Sequence, residues 1–108
     1  MSADVLTGAF YSPGEAADEL GISRRQLKHW LDLFPTIQPA RGSEGQRLYS
    51  ERDLAFFEGV RALIFGRRLL MQTVRRLVEE KGVEHLCAIG RASRKALEMP
   101  DDQAPRTA

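Results

Sequence analysis

Three residues, Gly21-Ile22-Ser23, separate two stretches that each carry helical spacing. A link that short leaves the two helices no choice but to pack against each other. The first stretch opens at Ser12-Pro13-Gly14-Glu15, with Ser12 placed as N-cap, Pro13 at the first helical position and Glu15 set for a capping box. Ala16, Ala17 and Leu20 then share one face, and the small alanines admit a close neighbour. Gly21 accepts the left-handed conformation that ends a helix, Ser23 caps the next, and Ile22 between them is expected to be buried and to set the angle of the pair. The second helix spans about Arg24 to Leu33 and turns Leu27, Trp30 and Leu31 inward. Arg24, Arg25, Lys28 and His29 fall on its outer and N-terminal surface. Cations at a helix N-terminus oppose the macrodipole, a cost on the order of 0.3–1 kcal/mol. A phosphate or a base edge nearby would give them a purpose.

Pro35 breaks that helix. Thr36 to Ala40 reads as a short extended run, Arg41-Gly42-Ser43-Glu44-Gly45 as a flexible loop, and Gln46 to Tyr49 as a returning strand. Two such short strands cannot form an independent sheet, so they must lean on the helices as a wing. Ser50-Glu51-Arg52-Asp53 caps a third helix, in which Leu54, Phe57, Val60, the stem of Arg61 and Ile64 keep the helical period until Gly66. A fourth helix, roughly Leu70 to Lys81, aligns Val74, Leu77 and Val78 and closes at Gly82. Val83 to Ile89 adds a short helical turn carrying Leu86 and Ile89. The expected fold is mostly α, a winged helix-turn-helix with a two-helix core motif, a two-stranded wing and two further helices. Residues 1–9 are read as a lead-in with Phe10 or Tyr11 packing as an apolar lid, residues 10–90 as the domain, and residues 91–108 as a disordered tail, most clearly from Met99 onward.

Composition narrows the function. A chain of 108 residues makes one domain, and no run approaches the roughly 18 apolar residues of a membrane span. The first residues lack the basic-then-apolar order of a signal peptide, so the expected location is cytoplasmic, with no membrane partner. One cysteine excludes an internal disulfide, and with two histidines it argues against a metal site; no cofactor is expected. His85 and Cys87 cannot complete a tetrahedral site, and Cys87 is read as a small hydrophobe. No nucleophile elbow, phosphate-binding glycine loop or ligand cluster is present, which argues against catalysis. The net charge of +1 conceals a gradient: residues 1–22 hold four acids and no Lys or Arg, whereas residues 23–76 hold eleven Lys or Arg against five acids. That excess coincides with the second helix, the wing and the helices after it, where a phosphate-facing surface would lie.

Taken in order, these residues resemble the MerR family of bacterial transcription regulators, specifically its N-terminal DNA-binding domain. Gly21-Ile22-Ser23-Arg24-Arg25-Gln26-Leu27-Lys28-His29-Trp30 is similar to the family's turn and recognition helix, with His29 and Trp30 at its two aromatic positions. Pro39-Ala40-Arg41 resembles the start of the wing, and Arg47-Leu48-Tyr49-Ser50 followed by Asp53-Leu54 resembles its best-kept stretch. The resemblance spans roughly Phe10 to Gly82. It implies duplex DNA as partner, self-association, and RNA polymerase as a further partner. It places Arg24, Arg25 and Lys28 at major-groove base edges and adjacent phosphates, with Arg41, Arg47 and Tyr49 contacting or bracing contacts to the backbone. The chemistry suits these roles, since arginine offers a planar fork of donors and tyrosine one donor on a rigid ring. Relatives usually continue into a long coiled-coil helix that dimerises and then into an effector-sensing segment. The 26 residues after Gly82, with Gly90, Pro100 and Pro105 among them, show no sustained apolar heptad.

Some readings stay open at this point. Trp30 is expected in the core, and Tyr49 at a wing contact more than in plain packing. His29 fits either a phosphate contact or the edge of the helix pair. Arg67-Arg68 could clamp a phosphate or merely cover a helix end, while Arg75-Arg76 reads as solvated. The expected function is a sequence-specific, duplex-DNA-binding transcriptional regulator acting as a dimer or as several copies along the site. The alternatives are an architectural DNA-binding protein, such as an excisionase-like or packaging subunit, and a protein-interaction module using the same fold. The near-neutral total charge and the acidic first helix and tail motivate the last of these.

Overall fold

A computed structural model describes residues 10–98. The chain enters through a two-residue strand, β1 (Phe10–Tyr11), followed by α1 (Pro13–Leu20) and α2 (Arg24–Leu33). The strands β2 (Ala40–Arg41) and β3 (Arg47–Ser50) lead into α3 (Glu51–Arg61), which continues as a π-helical turn over Ala62–Gly66. Two further helices, α4 (Met71–Lys81) and α5 (Val83–Glu98), complete the domain. This is the mostly α, winged helix-turn-helix architecture expected from the residues.

The local signals act as their chemistry requires. Ser12 Oγ accepts from the Glu15 amide at 3.1 Å while Glu15 Oε1 accepts from the Ser12 amide at 2.9 Å, so two orphan donors of α1 are satisfied. Gly21 takes the left-handed conformation at φ 71°, and Ser23 Oγ caps α2 through the Gln26 amide at 3.0 Å. Ile22 is half-buried against the core rather than fully enclosed. Ser50 and Asp53 form a second reciprocal box, at 3.0 Å in each direction, which joins the wing directly to α3.

Several expectations are corrected. The sheet has three strands, in the order β1-β3-β2, all antiparallel, because Phe10 pairs with Ser50 and Tyr11 with Tyr49. The lid is Tyr11, which packs against the core and whose hydroxyl donates to Glu51 at 3.2 Å; Phe10 stays exposed. Of the run Thr36 to Ala40, only Ala40 joins a strand, since the Ile37 amide donates back to the Phe34 carbonyl at 2.9 Å and curls the segment. The short turn at Val83–Ile89 is instead a sixteen-residue helix, and the tail boundary drawn at residue 91 falls inside it. The remainder of the expected tail, from Met99, lies outside the described residues, as does the lead-in of residues 1–9.

Gly90 lies inside this helix, against α3. It serves as a contact point and not as a breaker: a Cβ on Gly90 would lie 1.9 Å from the Ala55 carbonyl oxygen, and one on Gly59 would lie 2.1 Å from that of Leu86. The backbones of α3 and α5 therefore touch, and the seam is filled on either side by buried Leu86 and Cys87. The Cys87 thiol lies 3.6 Å from the Arg52 carbonyl oxygen, and burial pushes it above its ordinary value, consistent with an enclosed, un-ionised side chain. Arg52 pairs with Glu84 at one end of α5, and Arg94 reaches Glu19 of α1 at 2.6 Å and Glu58 of α3 at 3.6 Å near the other. With α5 on one side and α1 and α2 on the other, α3 is buried at every position from Asp53 to Val60. Trp30 stacks on Phe57 at 6.4 Å and Phe56 meets Phe34 edge-on at 5.1 Å, which fixes α2 to this central helix. None of the helices among the described residues is long and apolar enough to cross a membrane.

Candidate nucleic-acid interface

Burying Leu27, Trp30 and Leu31 in the core leaves the opposite face of α2 in solvent. Arg24, Arg25, Lys28 and His29 are all exposed there. The strand β3 runs past the first turns of α2 and brings half-buried Arg47 alongside. Arg24, Arg25, Lys28, Arg47 and Tyr49 line one hollow of about 280 Å³, floored by Leu27 and edged by Pro13. Five of the seven residues singled out in the sequence thus converge, from two elements far apart in the chain.

Arg41 stands in a neighbouring hollow of about 460 Å³, between the C-terminal half of α2 and the root of the wing, and Arg47 borders both. The Arg41 guanidinium donates to the Gly45 carbonyl at 2.8 Å, so one arm of its fork fastens the loop that it precedes. Gly45 holds φ 85° in that loop, a conformation open to glycine at little cost, and the Gly42 amide closes the hairpin onto the Gln46 carbonyl at 2.8 Å. His29 is exposed on the same helix face and lines neither hollow.

Tyr49 sits deeper than the sequence suggested. It is 2% exposed and meets Phe57 edge-on at 6.4 Å, so its ring belongs to the core and only its rim reaches the hollow. Burial pushes its phenol above the ordinary value; Arg47 opposes the shift, and the carboxylates of Asp53 and Asp32 add to it. Its placement suits a brace under the arginines better than a freely reaching donor. Arg67 and Arg68 are exposed at the corner before α4, where Arg68 adopts φ 62°, and Arg75 and Arg76 are exposed on α4 itself.

Sequence reasoning passed over Asp32. It is exposed on α2, lines the wing-root hollow with Arg41 and Arg47, and lies 3.9 Å from Lys28 Nζ. A signal was present, because Asp32 follows Arg25 by seven residues, Lys28 by four and His29 by three, the spacing of a shared helix face.

The surface is therefore a cationic strip along one helix, continued by a wing and supported by a buried aromatic layer. Arginine forks and a lysine point charge at such a strip are suited to phosphate oxygens and to guanine edges. Compared with known protein families, residues 11–81, about two thirds of the chain, match the model described as MerR HTH family regulatory protein. No curated protein and no solved structure matches the chain. The match takes in α1, α2, the wing, α3 and α4, and the chain belongs to the MerR HTH family of DNA-binding transcription regulators.

Proposed function

We propose that this protein binds duplex DNA sequence-specifically, as a dimer or as several copies along the site, and so regulates transcription. The observation that carries the reading is the convergence of Arg24, Arg25 and Lys28 from α2 with Arg47 from β3 around one open hollow. A helix flanked by a wing fits a major groove and its bordering phosphates, with α2 inserted and the wing outside. In this reading Arg24, Arg25 and Lys28 touch base edges and adjacent phosphates. His29, Arg41 and Arg47 grip the backbone, and Tyr49 holds Arg47 in place from below. Most of these contacts set register and carry no sequence information. RNA polymerase is the partner such a regulator would act on, and the location is cytoplasmic.

The test is selection from a random duplex pool at two salt concentrations, with the mass of the complex measured alongside. An enriched inverted repeat holding two copies is the expected result. Binding with no enriched motif would leave an architectural role, and no binding at either salt would overturn the reading. Six phosphate contacts would lower affinity by about a thousandfold between roughly 50 and 200 mM salt, so the low-salt arm is the one able to detect weak binding.

A further inference from the structure

Among the residues lining the two hollows, Asp32 is the one carboxylate; it shares the wing-root hollow with Arg41 and Arg47 and lies one turn along α2 from Lys28. Helix stability gives no reason for it. Aspartate is a poor helix former, and an anion in the last turn of α2 opposes the macrodipole. Its partner Lys28 is 3.9 Å away, and the two side chains are 62% and 66% exposed, a geometry in which an ion pair contributes almost nothing. Nor does it serve packing, because it faces solvent opposite Leu27, Trp30 and Leu31.

A carboxylate on a surface that faces phosphates weakens binding to every duplex by like-charge repulsion. The loss is recovered only where the carboxylate accepts a hydrogen bond, and in the major groove the donors are the exocyclic amino groups of cytosine and adenine. Discrimination between sequences is a difference of affinities, and a repulsive group relieved at one sequence widens that difference. We infer that Asp32 is a specificity-determining residue: it penalises binding to duplexes in general and is relieved where a cytosine or adenine amino group faces it. The inference rests on the DNA-binding reading above. It adds a negative group to a surface otherwise described by its cations.

The experiment uses the full chain and Asp32→Asn, which keeps size and polarity and removes the charge. Each protein is used to select from the random duplex pool, and affinities are then measured for the enriched duplex and for a scrambled duplex of equal length and composition. Wild type should enrich cytosine or adenine at one position that Asp32→Ala leaves open, while Asp32→Asn, which keeps a neutral acceptor, should retain a weaker preference there. Asp32→Asn should bind the scrambled duplex several-fold more tightly, and the ratio of the two affinities should narrow by about tenfold. An equal gain on both duplexes would overturn the inference, because Asp32 would then be a screened charge without base preference. No change on either would overturn it as well, reducing Asp32 to a surface partner of Lys28. A wild-type chain that binds no duplex would overturn the DNA-binding reading itself and this inference with it, an outcome distinct from the other two. Asp32→Ala, which removes the acceptor altogether, should match Asp32→Asn on the scrambled duplex and fall below it on the enriched one.

Discussion

At the α2–β3 surface the charged groups stand on long, exposed side chains, whereas along the α3–α5 seam two backbones meet with no side chain between Gly59 and Gly90. Substitutions in the first region are expected to spare the fold and impair the proposed task, and those in the second to do the reverse. Exposed arginines contribute little to stability, since solvent screens them and their rotamer freedom is lost only on contact. At the seam a single methyl group would have nowhere to go. A small domain that must both fold and grip a polyanion benefits from keeping these demands apart, and here α3 stands between them.

The sharpest way to break this comparison is a double substitution in the cationic strip. Arg24→Ala with Lys28→Ala should lower affinity for duplex DNA about a hundredfold and reduce the slope of log affinity against log salt by about two. Its unfolding free energy from urea titration should stay within about 0.5 kcal/mol of wild type. A large loss of stability would show that the strip also holds the fold.

The opposite substitution is Gly90→Ala. Alanine gains about 1 kcal/mol over glycine in a helix, while overpacking against a carbonyl oxygen costs about 3, so a net loss of about 2 kcal/mol is expected in urea unfolding. Affinity per folded molecule should be unchanged. Stabilisation would mean that the two backbones are not in contact.

Ser50 lies where the two regions join, as the last residue of β3 and the cap of α3. Ser50→Ala should cost about 1 kcal/mol of stability, and the loss of wing alignment should weaken DNA binding by a few-fold. A stability loss with binding untouched would show that the wing keeps its place without the cap.

The smallest effect concerns Glu58, which is 6% exposed on α3. Burial raises its carboxyl above the ordinary value of 4.5; Arg94 and Arg61 pull it back, and Glu19 adds to the rise. The folded protein therefore holds this proton more tightly than the unfolded chain. Its contribution to stability grows as pH falls through the raised value and levels off below about 4.5, the reverse of an ordinary ion-paired carboxylate. Urea midpoints of wild type and Glu58→Gln compared across that range should show the slope in the first and its loss in the second.

The two regions were not equally legible in the sequence. Caps, the Gly21 turn and the apolar spacing of α1 to α4 announce themselves, because each is decided within a few neighbouring residues. The cationic strip was legible for the same reason, with Arg24, Arg25 and Lys28 following directly on a capped turn. The third strand was not, since Phe10-Tyr11 acquires its role only by meeting Tyr49 and Ser50 some forty residues later. The role of Gly90 was hidden for a related reason: within its own helix a glycine is a weakness, and the carbonyl of Ala55 that makes it necessary lies 35 positions away. Tyr49 shows the limit at the interface itself. Its neighbours Arg47 and Ser50 mark it as part of the wing, and only the position of Phe57 tells how far its ring is drawn inside.

The glycine seam also bears on the order in which the molecule is made. Chains emerge from the ribosome N-terminus first, and domains fold as their residues become available. The helix-turn-helix, the wing and α3 are all synthesised before Leu86 and Gly90, the residues that close on Ala55 and Gly59. Until then the side of α3 that Gly59 leaves open has no helix to close on it. The helix and wing proposed to face a nucleic acid are complete in sequence well before α5 is made, and α5 acts as the closing stitch.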